Sequence, residues 1–142
     1  MSEFTPTGAR LNPDQLEPYR EKGYVVPDFR FPPSLVERMR EEYQKLVSDN
    51  AHLGSDFLLG PHMENPGTQG VKGSPFWFEL ATHPDLMEMS RQLIGEDIIL
   101  WGTTIFGKPA HSGKETPWHQ DGDYYPIRPL ETMTNWIALD DV

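Results

Sequence analysis

Apolar residues recur at helical spacing in several stretches of the chain, and prolines mark where these stretches begin. Asn12 followed by Pro13 is a helix-start signal, so a helix is predicted to run to about Lys22 with Gly23 as its C-terminal cap. A longer helix is predicted to begin at Pro32-Pro33, because charged residues fill one face and apolar residues form the other: Leu35, Val36, Met39, Tyr43, Leu46 and Val47.

Further elements follow from local composition. Residues 84–94 are predicted to form a helix that ends at Gly95. β-Branched and aromatic residues predict strands at 24–26, within 97–107 and at 133–139. Helices come early in this order and strands come late, which predicts an α+β or mainly β fold with an antiparallel sheet and helices packed on its outside.

Segments without either periodicity are predicted to be irregular. Residues 1–11 are predicted to form a loose polar arm, and residues 50–75 and 108–117 to form loops, because Gly, Pro, Asn and Ser dominate them. Long loops in compact domains often carry function. The apolar run Phe76-Trp77-Phe78 is expected in the core.

Length and charge narrow the class of protein. A chain of 142 residues with 37% hydrophobic content predicts a single globular domain over 1–142. The net charge of −10 argues against nucleic acid as a partner and against an anionic membrane surface. The sequence leaves the oligomeric state open.

Cysteine usage narrows the chemistry. The sequence has no cysteine, which excludes disulfides, thiolate zinc sites, iron–sulfur clusters and thiol nucleophiles. It is consistent with a reducing compartment, so we expect a cytoplasmic location. Neither a signal peptide nor a run of about 20 apolar residues is visible, so no membrane association is predicted.

Three His-x-acid pairs are candidate metal ligands. With 5 His and 22 acidic residues, chance alone gives about 0.8 such pairs, so context has to separate them. His62-Met63-Glu64 lies in a predicted loop, and His83-Pro84-Asp85 spans a helix start, where a structural role is expected. His119-Gln120-Asp121 remains. On an extended strand His119 and Asp121 share one face, as two ligands of a 2-His-1-carboxylate triad would.

The surroundings of this pair are aromatic. Trp118, Tyr124 and Tyr125 could shield a site from water, and Asp123 is a candidate substrate-side group, as are Trp118 and Tyr124. Two alternatives stay open at this point. The pair could be ordinary polar residues at a loop–strand junction, or it could hold zinc or another structural metal.

The stretch from Lys108 to Pro129 resembles the phytanoyl-CoA dioxygenase family of Fe(II)- and 2-oxoglutarate-dependent oxygenases. The N-terminal helices match it more loosely. The similar motifs are Lys108-Pro109, Ser112-Gly113-Lys114, Trp118-His119-Gln120-Asp121, Tyr124-Tyr125-Pro126, Arg128-Pro129 and the following strand Trp136-Ile137-Ala138-Leu139-Asp140-Asp141.

This resemblance implies a cupin-like double-stranded β-helix, or jelly roll, with flanking N-terminal helices, incomplete at its C-terminus. It implies Fe(II), 2-oxoglutarate as co-substrate and O2, and hydroxylation of an unactivated C–H bond of a small molecule with release of succinate and CO2. His119 and Asp121 would be catalytic iron ligands. The 2-oxoglutarate site would include Thr104, Trp136 and Lys72.

Two parts of the family pattern are missing from the sequence. The third ligand, a His, and the Arg that anchors 2-oxoglutarate are expected beyond Val142, and His111 as a ligand would depart from the family. The alternative is a non-catalytic or truncated jelly-roll protein that has lost a complete metal site. Asp121 favours a hydroxylase over the related halogenases, but desaturation, epimerisation and cyclisation fit the same ligands. The substrate cannot be identified.

Overall fold

The computed structural model describes residues 4–113 and 115–142, and this part of the chain contains four α-helices. They are α1 (Pro13–Lys22), α2 (Pro33–Asp49), α3 (Pro75–Ala81) and α4 (Pro84–Ile94). Each begins at a proline, which has no N–H to leave unpaired in the first turn and whose fixed φ suits a helix. Lys114, which belongs to the Ser112-Gly113-Lys114 motif, and residues 1–3 lie outside the described residues.

The start and end of α1 confirm the sequence prediction. The backbone N–H of Gln15 donates to the Asn12 side chain, and the Gln15 side chain accepts from the Asn12 N–H, both at 3.0 Å, so the two residues form a capping box. Gly23 ends the helix with φ 78°, a left-handed conformation that glycine adopts without steric cost.

The hydrophobic core lies against the apolar face of α2. Its main cluster joins α2 to β1 and α3 and consists of Leu35, Met39, Leu46, Leu58, Val71, Trp77 and Leu80. A second cluster consists of Leu11, Leu86 and Met89, and Ile137 packs against both. The prediction of core residues at Phe76, Trp77 and Phe78 is confirmed for Trp77, which is buried, and for Phe76, which packs against the main cluster. It is wrong for Phe78, which is exposed.

One antiparallel sheet of two short strands is present in the described part of the chain. Strand β1 (Phe57–Leu59) pairs with β2 (Thr104–Phe106), with Leu58 opposite Ile105. The prediction of a loop without regular structure over 50–75 is therefore wrong at β1 and at a 3-10 turn over Ala51–Leu53. The strand predicted within 97–107 is reduced to its last part.

Two predicted strands are wrong. Residues 24–26 and 133–139 are not assigned to strands, although both stretches are rich in β-forming residues. A strand needs a hydrogen-bonded neighbour, and among the described residues neither stretch has one. Tyr24, Val26 and Trp136 are exposed in the absence of such a neighbour.

The N-terminal arm is ordered by contacts with α4, so the prediction of a loose arm is wrong for residues 7–11. The buried carboxylate of Asp85 accepts hydrogen bonds from the backbone N–H groups of Thr7, Gly8 and Ala9 at 2.8, 3.0 and 3.1 Å. Further along, the backbone of Leu11 donates to Gln92 at 2.8 Å and accepts from it at 3.0 Å. These partners are about 80 positions away in sequence, so no local pattern reveals them.

The α+β prediction holds as a coarse description, because helices and a small sheet are both present. The mainly β description stays a prediction, because the two strands of the described residues are short. A double-stranded β-helix is not formed by this part of the chain and stays a prediction. None of the helices found in the described part is long and apolar enough to cross a membrane.

Candidate metal centre

The side chains of His119 and Asp121 face each other. The His119 Nε2 and Asp121 Oδ1 atoms are 3.1 Å apart, and both side chains are a little under half exposed. Gln120, between the two residues, is extended as predicted, which places both side chains on one face of the backbone. The chain does not continue as a strand, because Asp121 begins a 3-10 turn, Asp121–Asp123, in which the Tyr124 N–H donates to the Asp121 carbonyl at 2.9 Å.

A backbone carbonyl sets the tautomer of His119. The Nδ1 atom lies 2.7 Å from the Pro117 carbonyl oxygen, which can only accept a hydrogen bond, so Nδ1 carries the proton. In the neutral ring, Nε2 then has a free lone pair directed at Asp121. Histidines that bind metals usually have this arrangement, with one nitrogen donating to a carbonyl or carboxylate and the other binding the ion.

The electrostatics of the pair call for a cation. A neutral Nε2 and a carboxylate oxygen are both acceptors, and at 3.1 Å they repel each other unless a proton or a metal ion lies between them. Accordingly, the pKa of His119 is raised by the hydrogen bond to the Pro117 carbonyl, partly offset by desolvation, and raised further by the Asp121 carboxylate.

The distance also suits one metal ion. Two ligands about 2.1 Å from an ion and at right angles to each other lie about 3.0 Å apart, close to the observed separation. The donor types, one imidazole nitrogen and one carboxylate oxygen, fit a non-haem Fe(II) centre. His119 and Asp121 would hold the ion there.

A third ligand is not found in the described part of the chain. No group of three or more His, Cys, Asp or Glu side chains could hold a metal among residues 4–113 and 115–142. His111 lies in an exposed turn with φ 66°. His62 instead pairs with the Thr103 hydroxyl, with Nδ1 and Oγ1 2.7 Å apart.

The pair at the start of α4 has the structural role that its position predicts. His83 is buried, and its ring accepts a hydrogen bond at 3.2 Å from the Asp85 N–H, which caps the helix. Its ring packs edge-on to Phe31, with ring centroids 5.3 Å apart. Asp85 holds the N-terminal arm and has no free oxygen for a metal.

The aromatic neighbours of the site differ in what they contact. Tyr124 packs near the His119 ring, with centroids 6.3 Å apart and planes at 71°. Tyr125 lies close enough to Asp121 that burial, first, and the Asp121 charge, second, raise the pKa of its phenol. Trp118 is fully exposed, so the idea that it shields the pair from water is not met in this structure. Asp123 ends the 3-10 turn and is exposed.

The residues matched to the 2-oxoglutarate site come from three different stretches of the chain. Thr104 is in β2, opposite Leu59, and Trp136 is exposed. Lys72 has an exposed side chain on a fixed backbone. Its N–H donates to Asn50 Oδ1 at 2.8 Å and its carbonyl accepts from Asn50 Nδ2 at 3.0 Å. Within the described residues, no hydrogen bond or ion pair joins these three residues to His119 or Asp121.

Sequence reasoning missed one residue at the pair. The hydroxyl of Thr134 lies 3.2 Å from Asp121 Oδ2. It is two positions before Trp136, so a predicted strand over 133–139 would have placed both side chains on one face. That shared face was the available signal.

Comparison with known proteins identifies the family. The model of the family described as phytanoyl-CoA dioxygenase (PhyH) matches residues 19–142, most of the chain. The protein belongs to the phytanoyl-CoA dioxygenase family. The match includes the Trp118-His119-Gln120-Asp121 motif and helices α2, α3 and α4, so the resemblance predicted from the sequence is confirmed.

Individual members of the phytanoyl-CoA dioxygenase family show varied activities by name. A probable phytanoyl-CoA dioxygenase of Caenorhabditis elegans is 23% identical over 99% of this chain and 51% of its own length. An ectoine dioxygenase of Bordetella bronchiseptica is 25% identical over 82% of this chain and 39% of its own length. A probable alpha-ketoglutarate-dependent hypophosphite dioxygenase of Stutzerimonas stutzeri is 25% identical over 90% and 48%.

The chain spans about half the length, or less, of these curated relatives. No solved structure gives a significant match.

Proposed function

We propose that the protein is an Fe(II)- and 2-oxoglutarate-dependent dioxygenase that hydroxylates an unactivated C–H bond of a small molecule. The observation that carries the proposal is the His119–Asp121 pair. The His119 Nε2 and Asp121 Oδ1 atoms are spaced as neighbouring ligands of one ion would be. The Nδ1–H group of His119 donates to the Pro117 carbonyl, which leaves Nε2 available for the metal. The pair also lies within the residues that the family model matches.

Each candidate residue has a stated role in this proposal. His119 Nε2 and Asp121 Oδ1 hold the metal, and the third ligand is a His expected beyond Val142. Bound Fe(II), with 2-oxoglutarate and O2, supplies the oxidising chemistry, and succinate and CO2 are released. Thr104, Trp136 and Lys72 bind 2-oxoglutarate, for which the Lys72 ammonium offers a charge opposite to that of its carboxylates.

The surrounding side chains would orient the substrate. Tyr124 already packs near the imidazole of His119 and would limit the directions from which a substrate approaches the metal. Trp118 and Asp123 are exposed beside the pair and would contact the substrate. We also propose that the strands around the site complete a jelly roll, which would cover aromatic side chains that are exposed here.

The substrate is a small molecule in this proposal, but its class stays open. The relatives are named for phytanoyl-CoA, ectoine and hypophosphite, which differ in size, charge and polarity. The residues that would distinguish such substrates are not shared with the metal ligands. The reaction outcome could also differ from hydroxylation while the ligand set stays the same.

A non-catalytic binding protein is the second candidate. Its support is that no third metal ligand occurs among the described residues. Under this alternative His119 and Asp121 would share a proton instead of an ion, as the raised pKa of His119 allows.

Anaerobic titration distinguishes the two. Fe(II) and 2-oxoglutarate are added to the intact gene product, and we expect a visible charge-transfer band and, once O2 is admitted, succinate. His119→Ala should abolish the band at Fe(II) concentrations that saturate the native protein, because one of the few ligands is lost. His52→Ala, which changes an exposed histidine in another part of the chain, is the matched control and should keep it.

If the intact protein gives neither the band nor succinate, the proposed dioxygenase function is excluded. The non-catalytic alternative would then stand.

A further inference from the structure

The Asp121 carboxylate has a different neighbour at each oxygen. Oδ1 faces His119 Nε2 at 3.1 Å, and Oδ2 accepts a hydrogen bond from the Thr134 hydroxyl at 3.2 Å. The second contact is long for an O–H···O bond.

Without the second contact the carboxylate would be free to rotate. The last torsion of an aspartate side chain is broad, so it does not by itself hold an oxygen in line with the imidazole. A donor on one oxygen fixes the plane of the carboxylate, and the other oxygen is then held toward Nε2. Asp121 is nearly half exposed, and packing therefore does little to fix it.

Thr134 is itself held by the helical part of the molecule. The neighbouring Asn135 donates through Nδ2 to the Ser90 hydroxyl at 3.1 Å, and that buried hydroxyl donates to the Leu86 carbonyl at 2.7 Å. Two residues further on, Ile137 packs against both hydrophobic clusters. A chain of contacts thus runs from α4 through Asn135 to Thr134 and Asp121.

We propose that Thr134 is a positioning residue for Asp121 and that the Asn135–Ser90 hydrogen bond fixes Thr134. The inference rests on the proposed function, since it concerns the same metal centre. Hydrogen bonds to a ligand's second oxygen typically change metal affinity by about 10- to 100-fold. We expect a loss of that size when the Thr134 hydroxyl is removed.

The test compares variants of Thr134 in the intact gene product by anaerobic Fe(II) titration, which needs no turnover. Thr134→Val keeps the shape and removes the hydroxyl, and Thr134→Ala removes it without a branched side chain. Both should weaken Fe(II) binding about 10- to 100-fold. Thr134→Ser keeps the hydroxyl and should stay within about 3-fold, a smaller change than that from losing the bond.

Thr132→Val is the matched control. It makes the same chemical change two positions away, and the Thr132 hydroxyl makes no hydrogen bond among the described residues, so Fe(II) affinity should equal that of the native protein. Thermal unfolding of all variants should coincide, because Thr134 is exposed. A purely structural role would lower the unfolding temperature instead.

The Asn135 link has its own test. Asn135→Ala should weaken Fe(II) binding less than Thr134→Val does, and it should add little in the double variant, because both act through one contact. If Thr134→Val and Thr134→Ala bind Fe(II) as the native protein does, the positioning role is wrong and the proposed function is unaffected. If the native protein binds no Fe(II), both proposals are wrong.

Discussion

Residues 4–94, here called the helical region, differ from residues 95–142, here called the site segment, in how far their side chains are buried. The helical region buries polar groups and gives them partners, as for Asn50, Asp85 and Ser90. Large apolar side chains are exposed in both regions: Tyr24, Val26 and Phe78 in the helical region, and Ile99, Trp101, Phe106, Trp118, Tyr124 and Trp136 in the site segment. The difference is one of burial, since no residue is buried in the described part of the site segment.

This difference separates stability from chemistry. The helical region contains every buried residue of both hydrophobic clusters, whereas the candidate metal ligands lie in the site segment. Polar contacts tie the end of that segment to the helices: Asn135 bonds Ser90, and Arg40 Nε lies 2.8 Å from the Leu139 carbonyl and 3.4 Å from Asp140 Oδ1. We infer that substitutions in the helical region change the free energy of unfolding, and that substitutions at the pair change metal binding.

Two tryptophans provide the sharpest comparison. Trp77 is 4% exposed in the main cluster, and Trp118 is 105% exposed beside His119. Trp77→Ala should lower the free energy of unfolding by about 3 to 5 kcal/mol because it leaves a cavity, whereas Trp118→Ala should change it by about 0.5 kcal/mol or less. Urea unfolding of the intact gene product measures both.

Equal losses of stability for the two tryptophan variants would contradict the separation. Such a result would mean that Trp118 is packed in the intact protein and that the site segment also contributes to the core.

Asp85 should give the next largest effect. Asp85→Asn replaces one acceptor oxygen by a donor that faces backbone N–H groups, so stability should fall by about 2 to 3 kcal/mol. Amide hydrogen exchange at Thr7, Gly8 and Ala9 should lose its protection, while Fe(II) affinity stays unchanged. Glu88→Gln is the control in the same helix. Glu88 pairs with the exposed Arg10 at 2.8 Å, and a surface pair contributes about 0.5 kcal/mol. Unchanged exchange at these amides would contradict the ordering of the arm by Asp85.

Acidification should change the free energy of unfolding less than these substitutions do near neutral pH, and more as the pH falls further. Burial lowers the pKa of His83, against the opposing Asp85 charge, so the folded state favours neutral His83. Its contribution to stability is full above about pH 6.5 and declines as the pH falls toward the lower folded pKa. For Asp85, burial would raise the pKa, but the hydrogen bonds from Thr7, Ala9 and Gly8 outweigh it and lower the pKa. Its contribution is present above about pH 3.9 and is lost as the pH falls through the folded pKa.

Unfolding free energy measured against pH should therefore fall in two steps. His83→Asn, which keeps a side-chain acceptor for the Asp85 N–H, should remove the upper step, and Asp85→Asn the lower one. A single step that neither substitution alters would place the acid sensitivity elsewhere.

The helices could be predicted from sequence because their signals are local. Asn12, Pro13 and Gly23 act within one turn of α1, and Pro33 and Pro84 mark the starts of α2 and α4 in the same way. Of the two strands, β2 lies within a predicted strand, but β1 was not predicted, because its pairing depends on a distant partner. Leu58 lies in a stretch that reads as a loop until Ile105 is placed beside it.

The site was only partly readable for the same reason. His119 and Asp121 were singled out from their spacing and from a family resemblance that the family match confirms, and Gln120 between them is extended as predicted. The chain then enters a 3-10 turn instead of continuing as a strand. The Pro117 carbonyl and the Thr134 hydroxyl were missed, since backbone groups carry no sequence signal and Thr134 is 13 positions from Asp121. Which residues bind iron and 2-oxoglutarate stays a prediction.

The paired hydrogen bonds between Asn50 and Lys72 make the length of α2 consequential. The Asn50 amide bonds the N–H and carbonyl of Lys72 much as a neighbouring strand would, and it does so from the position directly after Asp49, where α2 ends. A residue inserted into or deleted from α2 would turn Asn50 by about 100° around the helix axis. Lys72 would then lose both bonds at once. The number of residues in α2 therefore determines the position of Lys72, the lysine proposed to bind 2-oxoglutarate.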